Sequence, residues 1–312
     1  MIAIGIAFWF LFENRGDLIR LLDFQFWNLV IIILLYILQF FVTVISLWLI
    51  ISRISGKSVA IINWIKIMFL SRMANLMVPR SGGLYKAYVL KSEYGINYTR
   101  FVHIYAFFSW LTILINLGLV VMLILIYMPD LQIGNYPVFY IMTVLFIGIM
   151  LGPLIANYFF SLISPKNDFL LSISEKVHEI FITMLNHGCD FSFMSKLIGT
   201  LLVKFGLYVL LFKNLFAGMG EGIDISYAHM ALFIALEQIN VIIYITPGNI
   251  GIMEILYGSI SGAIGIGVTE GIVASALLRA IGYIVIFPFG IAFGWFKVYR
   301  LIKFQSQLEN NN

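Results

Sequence analysis

Residues 246–255 read TPGNIGIMEI and lie within a long apolar stretch. Pro247, Gly248 and Gly251 break a helix there, and Glu254 follows three residues after the last glycine. A break frees backbone groups that hydrocarbon cannot satisfy, and a carboxylate at that depth is costly. The combination survives only inside a protein bundle, against a polar interior. What this stretch meets therefore decides the fold.

The surrounding chain is a membrane sequence. Its 312 residues are 62% hydrophobic and 11% charged, whereas a soluble domain is nearer half apolar and a quarter charged. The expected class is all-α: a polytopic membrane helix bundle. The longest polar interior stretch, from about Ser164 to Phe193, is too short for a soluble nucleotide-binding or catalytic domain. No GxxxxGK[ST], GxGxxG or HExxH pattern occurs. Cys189 is the only cysteine, so no intrachain disulfide or CxxC site exists. Asn186–Asp190 matches no standard zinc spacing, and His103 and His229 read as packed or interfacial. No metal, cofactor or nucleic-acid partner is expected.

The first 12 residues, MIAIGIAFWFLF, are apolar but short of the roughly 20 that span a bilayer. They lack a basic leader and a cleavage site. They form either a short first helix or one whose start is missing.

Strong spans are expected at about 26–51, 101–128, 136–163, 195–216 and 271–296. Two further apolar regions, about 59–90 and 227–266, are interrupted. Basic residues concentrate on cytoplasmic connections. Lys297, Arg300 and Lys303 place the C-terminal end inside, and Lys166, Lys176 and Lys196 place the 164–196 connection there too. The connection at 129–135, with no Lys or Arg, faces out, as does 217–225 with Glu221 and Asp224. The first interrupted region then starts and ends inside, and the second starts and ends outside. Each is a hairpin or re-entrant pair, one from each side.

That arrangement is an inverted repeat. Repeat 1 covers 26–128 and repeat 2 covers 194–297, within a single integral membrane domain, 1–312. Residues 136–191 supply a connecting span and, at 168–187, an amphipathic cytoplasmic helix with Phe169, Ile173, Val177 and Ile180 on one face. Pro79 follows Phe26 at the same separation as Pro247 follows Met194. PRSGGLYK at 79–86 and PGNIGIME at 247–254 both read P-x-x-x-G-x-x-charge, with Gly83 and Gly251 equivalent and Lys86 opposed to Glu254. Polar stripes precede both breaks: Arg72 and Asn75 in one, Glu237, Asn240 and Tyr244 in the other.

Paired broken segments in inverted repeats mark transporter binding sites. Between Arg53 and Arg100 the chain holds eight basic residues and one acid, Glu93; between Glu221 and Arg279 it holds five acids and one base. Topology accounts for Arg53, Lys57, Lys91 and Arg100 but leaves Arg72, Arg80, Lys86, Glu237 and Glu254 as functional candidates. Arg and Lys suit a phosphate; buried acids suit an amine, a sugar hydroxyl or a proton. The candidate substrate-binding set is Arg72, Asn75, Arg80, Lys86, Glu237, Asn240, Asn249, Glu254 and Arg279. No catalytic residue is assigned.

At these motifs the chain resembles a known family. PGNIGIME is similar to the P-G-G-L-G-x-x-E segment of the transmembrane, flippase-like domain of lysylphosphatidylglycerol synthases and their stand-alone relatives. PRSGGLYKA is similar to that family's P-G-R-x-G-E-x-x-R-A segment, and ALLRAIGY at 276–283 resembles its late Leu-x-Arg-Ile helix. The resemblance implies that Pro79, Gly83, Lys86, Pro247, Gly251, Glu254 and Arg279 occupy the family's marked positions. Leu84 stands where the family has an acid, and Lys86 where it has an arginine. The soluble aminoacyl-transfer domain is absent, so lipid translocation is implied rather than lipid synthesis.

The leading expectation is a flippase or scramblase in a prokaryotic cell membrane, moving an anionic phospholipid or a lipid-linked saccharide. A membrane-embedded transferase of lipid modification and a non-catalytic anchoring subunit are the alternatives. Partners beyond lipid would be a second copy or an enzyme.

Overall fold

A computed structural model describes residues 24–78, 80–127, 129–130, 132–133, 136–162, 190–219, 225–237 and 249–309. The N-terminal apolar segment, the 168–187 helix, Pro79, Asn240, Pro247 and Gly248 lie outside the described residues.

Nine helices occur among the described residues. They are α1 (Phe26–Ser55), α2 (Ile61–Met77), α3 (Ser81–Tyr94), α4 (Tyr98–Tyr127), α5 (Val138–Leu162), α6 (Phe191–Ala217), α7 (Tyr227–Glu237), α8 (Ile252–Ala263) and α9 (Val268–Glu309). A two-residue ribbon, Gln132–Ile133 against Tyr136–Pro137, joins α4 to α5. Pro137 therefore holds the chain extended where helix was expected from residue 136.

Among the described residues, five helices are long and apolar enough to cross a membrane: α1, α4, α5, α6 and α9. They coincide with the five expected spans. At 1.5 Å per residue, α2, α3 and α8 reach only about 18–26 Å and fall short of the ~30 Å hydrocarbon core. The protein is an integral membrane protein: its helices carry apolar faces such as Leu34, Leu38, Val144, Leu154 and Ile284 outward.

The ends are built locally. Gly56, at φ 64°, closes α1 after Arg53. Gly95, at φ 65°, closes α3, its amide donating to the Lys91 carbonyl while that of Ile96 donates to Leu90. Asp190 caps α6 by accepting from the Phe193 amide at 3.1 Å, and it is ion-paired with Arg53 at the end of α1. The Phe193 amide, then Arg53, hold the Asp190 carboxyl below the usual range.

Packing follows a regular scheme. α1 lies along α6, α2 packs on α9, α7 packs on α4, α2 packs on α3 and α7 packs on α8. Exchanging α1–α4 with α6–α9 leaves this set of packed pairs unchanged. An aromatic core binds the second half: Phe212, Phe233 and Tyr257 have ring centroids 4.8–5.7 Å apart. The Trp64 indole donates to the Val44 carbonyl at 2.9 Å, tying α2 to α1.

Glycine lets the last two helices touch. A Cβ at Gly271 on α9 would overlap the Ser261 hydroxyl and the Tyr257 carbonyl of α8; one at Gly258 would meet Ile272 at 2.9 Å. Small residues replace hydrophobic force as the association device in lipid. Gly271→Ala should therefore destabilise the protein by about 1–3 kcal/mol through overpacking. Gly148→Ala on α5, where a Cβ meets nothing within 4 Å, should be neutral or stabilising. Thermal unfolding of both variants in mild detergent checks the contrast; equal effects would contradict it.

Candidate functional site

The first break is closed by side chains of α2. Arg80 takes the left-handed conformation, φ 60°, at the start of α3. Gly82 follows, and its amide donates to Asn75 Oδ1 at 2.8 Å while its carbonyl accepts from the Ser71 hydroxyl at 2.8 Å. A Cβ at Gly82 would overlap the Ser71 carbonyl. Asn75 thus stitches the break, satisfying backbone that lipid could not.

The second break has a different stitch. Asn249 and Gly251 have φ of 54° and 84°. Glu254 sits in the first turn of α8, and its Oε2 accepts from the Gly251 amide at 2.7 Å. Its other oxygen lies 2.5 Å from Arg279 Nη1 on α9. Glu254 is 3% exposed and Asn249 1%, so both face protein. A carboxylate at a helix N-terminus also meets the favourable end of the dipole.

Arg279, not Lys86, is the partner of Glu254. The Lys86 ammonium instead stands 4.5 Å from the centre of the Tyr105 ring on α4, a cation–π contact. Arg279 uses one of its nitrogens on Glu254; its Nε and Nη2 are buried without a hydrogen-bond partner among the described residues. The buried Ser275 hydroxyl, one turn earlier on α9, has none either.

A second charged cluster lies between the halves. Glu237, at the end of the described part of α7 and 8% exposed, accepts from the Tyr257 hydroxyl at 3.2 Å. Glu237 and Arg72 both act electrostatically on Lys204, Tyr208 and Tyr257, and Arg72 acts on Lys86 as well. Tyr36 and Gln39 on α1 lie beside Tyr208. Lys204 also stands 5.5 Å from the Phe108 ring centre on α4. Among the described residues the cluster joins α1, α2, α3, α6, α7 and α8 and brings Arg72, Lys86 and Lys204 together with Glu237.

Of the residues expected at the site, the fold gathers Arg72, Lys86 and Glu237 into this cluster and pairs Glu254 with Arg279. Asn75 is committed to the Gly82 amide, Arg80 is exposed at the break, and Asn240 is outside the described residues. Sequence reading missed Lys204, Tyr208 and Tyr257. Lys204, a lysine inside an apolar span, was detectable by the same depth argument that singled out Glu237.

The family described as lysylphosphatidylglycerol synthase TM region matches residues 1–290. The chain belongs to this family. No curated protein and no solved structure matches it. Membership agrees with the resemblance of the broken motifs and points to a function tied to membrane lipid.

The Glu254–Arg279 pair is open to a direct test. Removing one partner of a buried pair strands the other charge at a cost of roughly 3–5 kcal/mol. Glu254→Met alone should lower thermal stability by that order, and Glu254→Met with Arg279→Met should recover most of it. A double variant as unstable as the single one would show that the Gly251 cap, rather than the ion pair, carries the stability.

Proposed function

We propose that the chain moves lipids bearing a phosphate between leaflets, with the polar cluster as the path of the headgroup. What carries the reading is the placement of Lys204 and Arg72 by the acid Glu237, with Lys86 beside Arg72, at membrane depth. Charges there are costly and are retained for substrates or relays. A net positive cluster with a hydrogen-bonding tyrosine suits a phosphate, which phospholipids and lipid-linked saccharides share. The unengaged donors of Arg279 and Ser275 extend the same chemistry towards the second break.

The matched packing of α1–α4 and α6–α9 supports an inverted repeat, with the two broken hairpins entering from opposite faces. The basic connections favour a cytoplasmic C-terminal end for α9. In this reading the half-helix ends meet at the interface of the halves, the arrangement transporters use to bind charged groups.

Proteoliposomes with fluorescent phosphatidylglycerol in both leaflets, bleached from outside by a membrane-impermeant reductant, test the reading. Wild type should expose nearly all the label. Lys204→Gln and Lys86→Gln should slow exposure on the order of tenfold or more, the rate factor for losing about 1.4 kcal/mol, with little change in thermal stability. Lys57→Gln, an exposed lysine beyond α1, should match wild type. Wild-type vesicles bleaching only the outer half would contradict lipid movement, and a fluorescent lipid-linked saccharide in place of the phospholipid separates the two substrate classes.

A further inference from the structure

A cleft of about 400 Å³ lies between α1 and α6, away from the charged cluster. Its walls include Val42, Ile45 and Leu49 from α1, and Gly199 and Val203 from α6, with Lys196 at one end. Both helices cross the membrane, and Ile45 and Val203 are 42% and 55% exposed. The cleft therefore opens to hydrocarbon rather than to the interior.

Its floor is apolar by construction. The Ser46 hydroxyl lies 2.8 Å from the Val42 carbonyl and 3.0 Å from Thr200 Oγ1, and Thr200 donates to the Leu197 carbonyl at 2.8 Å. Both hydroxyls are thus spent within the protein. Gly199 has a different role from the glycines of α8 and α9: a Cβ there would meet nothing within 4 Å. A glycine inside a helix costs stability relative to alanine. Here no close helix approach offsets that cost, and what the missing side chain leaves is open space in the cleft.

The charged end fixes what fits. Lys196 is exposed and has no ion-pair partner among the described residues. The nearby acid, Asp190, is engaged by Arg53 and by the Phe193 amide. From Lys196 to Val203 the cleft runs about 10 Å along α6, roughly a third of the hydrocarbon core and within one leaflet. An apolar slot of that depth under an unpaired ammonium is complementary to one acyl chain with an anionic headgroup above it.

We propose that this cleft is a binding site for an anionic phospholipid of the leaflet next to Arg53 and Lys196, held by its acyl chain against Gly199 and by its headgroup at Lys196. The site is separate from the charged cluster, and its occupancy does not depend on lipid movement. A bound lipid here would clamp the α1–α6 seam on which the two halves meet.

The test uses the full chain in nanodiscs of phosphatidylglycerol and phosphatidylcholine, with a trace of either lipid carrying a photoreactive group on one acyl chain. Labelled peptides are then mapped. The phosphatidylglycerol probe should label 42–49 and 199–203 on the order of fivefold more than the phosphatidylcholine probe, the factor for one lysine acting on a headgroup. Lys196→Gln should bring that ratio to about one, and Lys57→Gln should leave it unchanged. Gly199→Leu, whose Cβ meets nothing within 4 Å and whose side chain takes up the slot, should remove labelling by both probes while thermal stability persists. Equal labelling by the two probes in wild type, or undiminished labelling in Gly199→Leu, would overturn the site. Efficient disulfide linkage of two copies through Ile45→Cys in a Cys189→Ser background would also overturn it, in favour of an interface between copies.

Discussion

A helix broken inside a bilayer must find partners for its freed amides and carbonyls within the protein, since lipid offers none. That constraint organises this fold. At the first break, Asn75 and Ser71 of α2 bind the amide and carbonyl of Gly82. At the second, Glu254 binds the Gly251 amide. The two solutions differ in charge, and the difference propagates. A neutral stitch needs no further partner. A carboxylate stitch at 3% exposure requires a cation, and α9 supplies Arg279 at 2.5 Å. The position of α9 against α8 is thereby tied to the break, and Gly258, Gly262 and Gly271 make the necessary approach sterically possible.

The charged cluster at the seam follows from the same geometry. Short helices bring polar side chains to membrane depth. Glu237 arrives on α7, Lys86 on the short helix α3, and Arg72 on α2 just ahead of the first break. Lys204 comes from an unbroken span, α6, and faces them because α6 lies along α1 at the meeting of the two halves. Tyr257 links the cluster to the aromatic core through its ring and to Glu237 through its hydroxyl. A polar interior of this kind is expensive to assemble unless every member is bonded; beside the Glu254 pair, Nε and Nη2 of Arg279 are buried with no hydrogen-bond partner among the described residues.

Much of this was legible in the sequence because hydrocarbon is a simple solvent. Five apolar runs became five spans, and Gly251, in the second motif, stands at the start of the short helix α8. Family membership was readable from PGNIGIME. What stayed hidden depends on tertiary proximity. Asn75 reads as a site residue from its spacing with Arg72, yet its amide is spent on Gly82. Lys86 and Glu254 oppose each other in the aligned motifs, but an ammonium can rest on an aromatic face as well as on a carboxylate, and Tyr105 takes it. Tyr208 and Tyr257 sit in apolar runs, where only the fold reveals that Glu237 faces them. The cleft between α1 and α6 leaves no pattern at all, since Gly199 looks like any glycine in a membrane helix.

The central claim is that the two broken hairpins enter the membrane from opposite faces and meet at the charged seam. Single-cysteine accessibility in a Cys189→Ser background addresses it most directly, in intact cells and in inverted vesicles with a membrane-impermeant maleimide. Ser92→Cys, near the end of α3, should react only from the face that carries the C-terminal end of the chain, and Ser226→Cys, just before α7, only from the other. Both positions reacting from the same face would contradict the account.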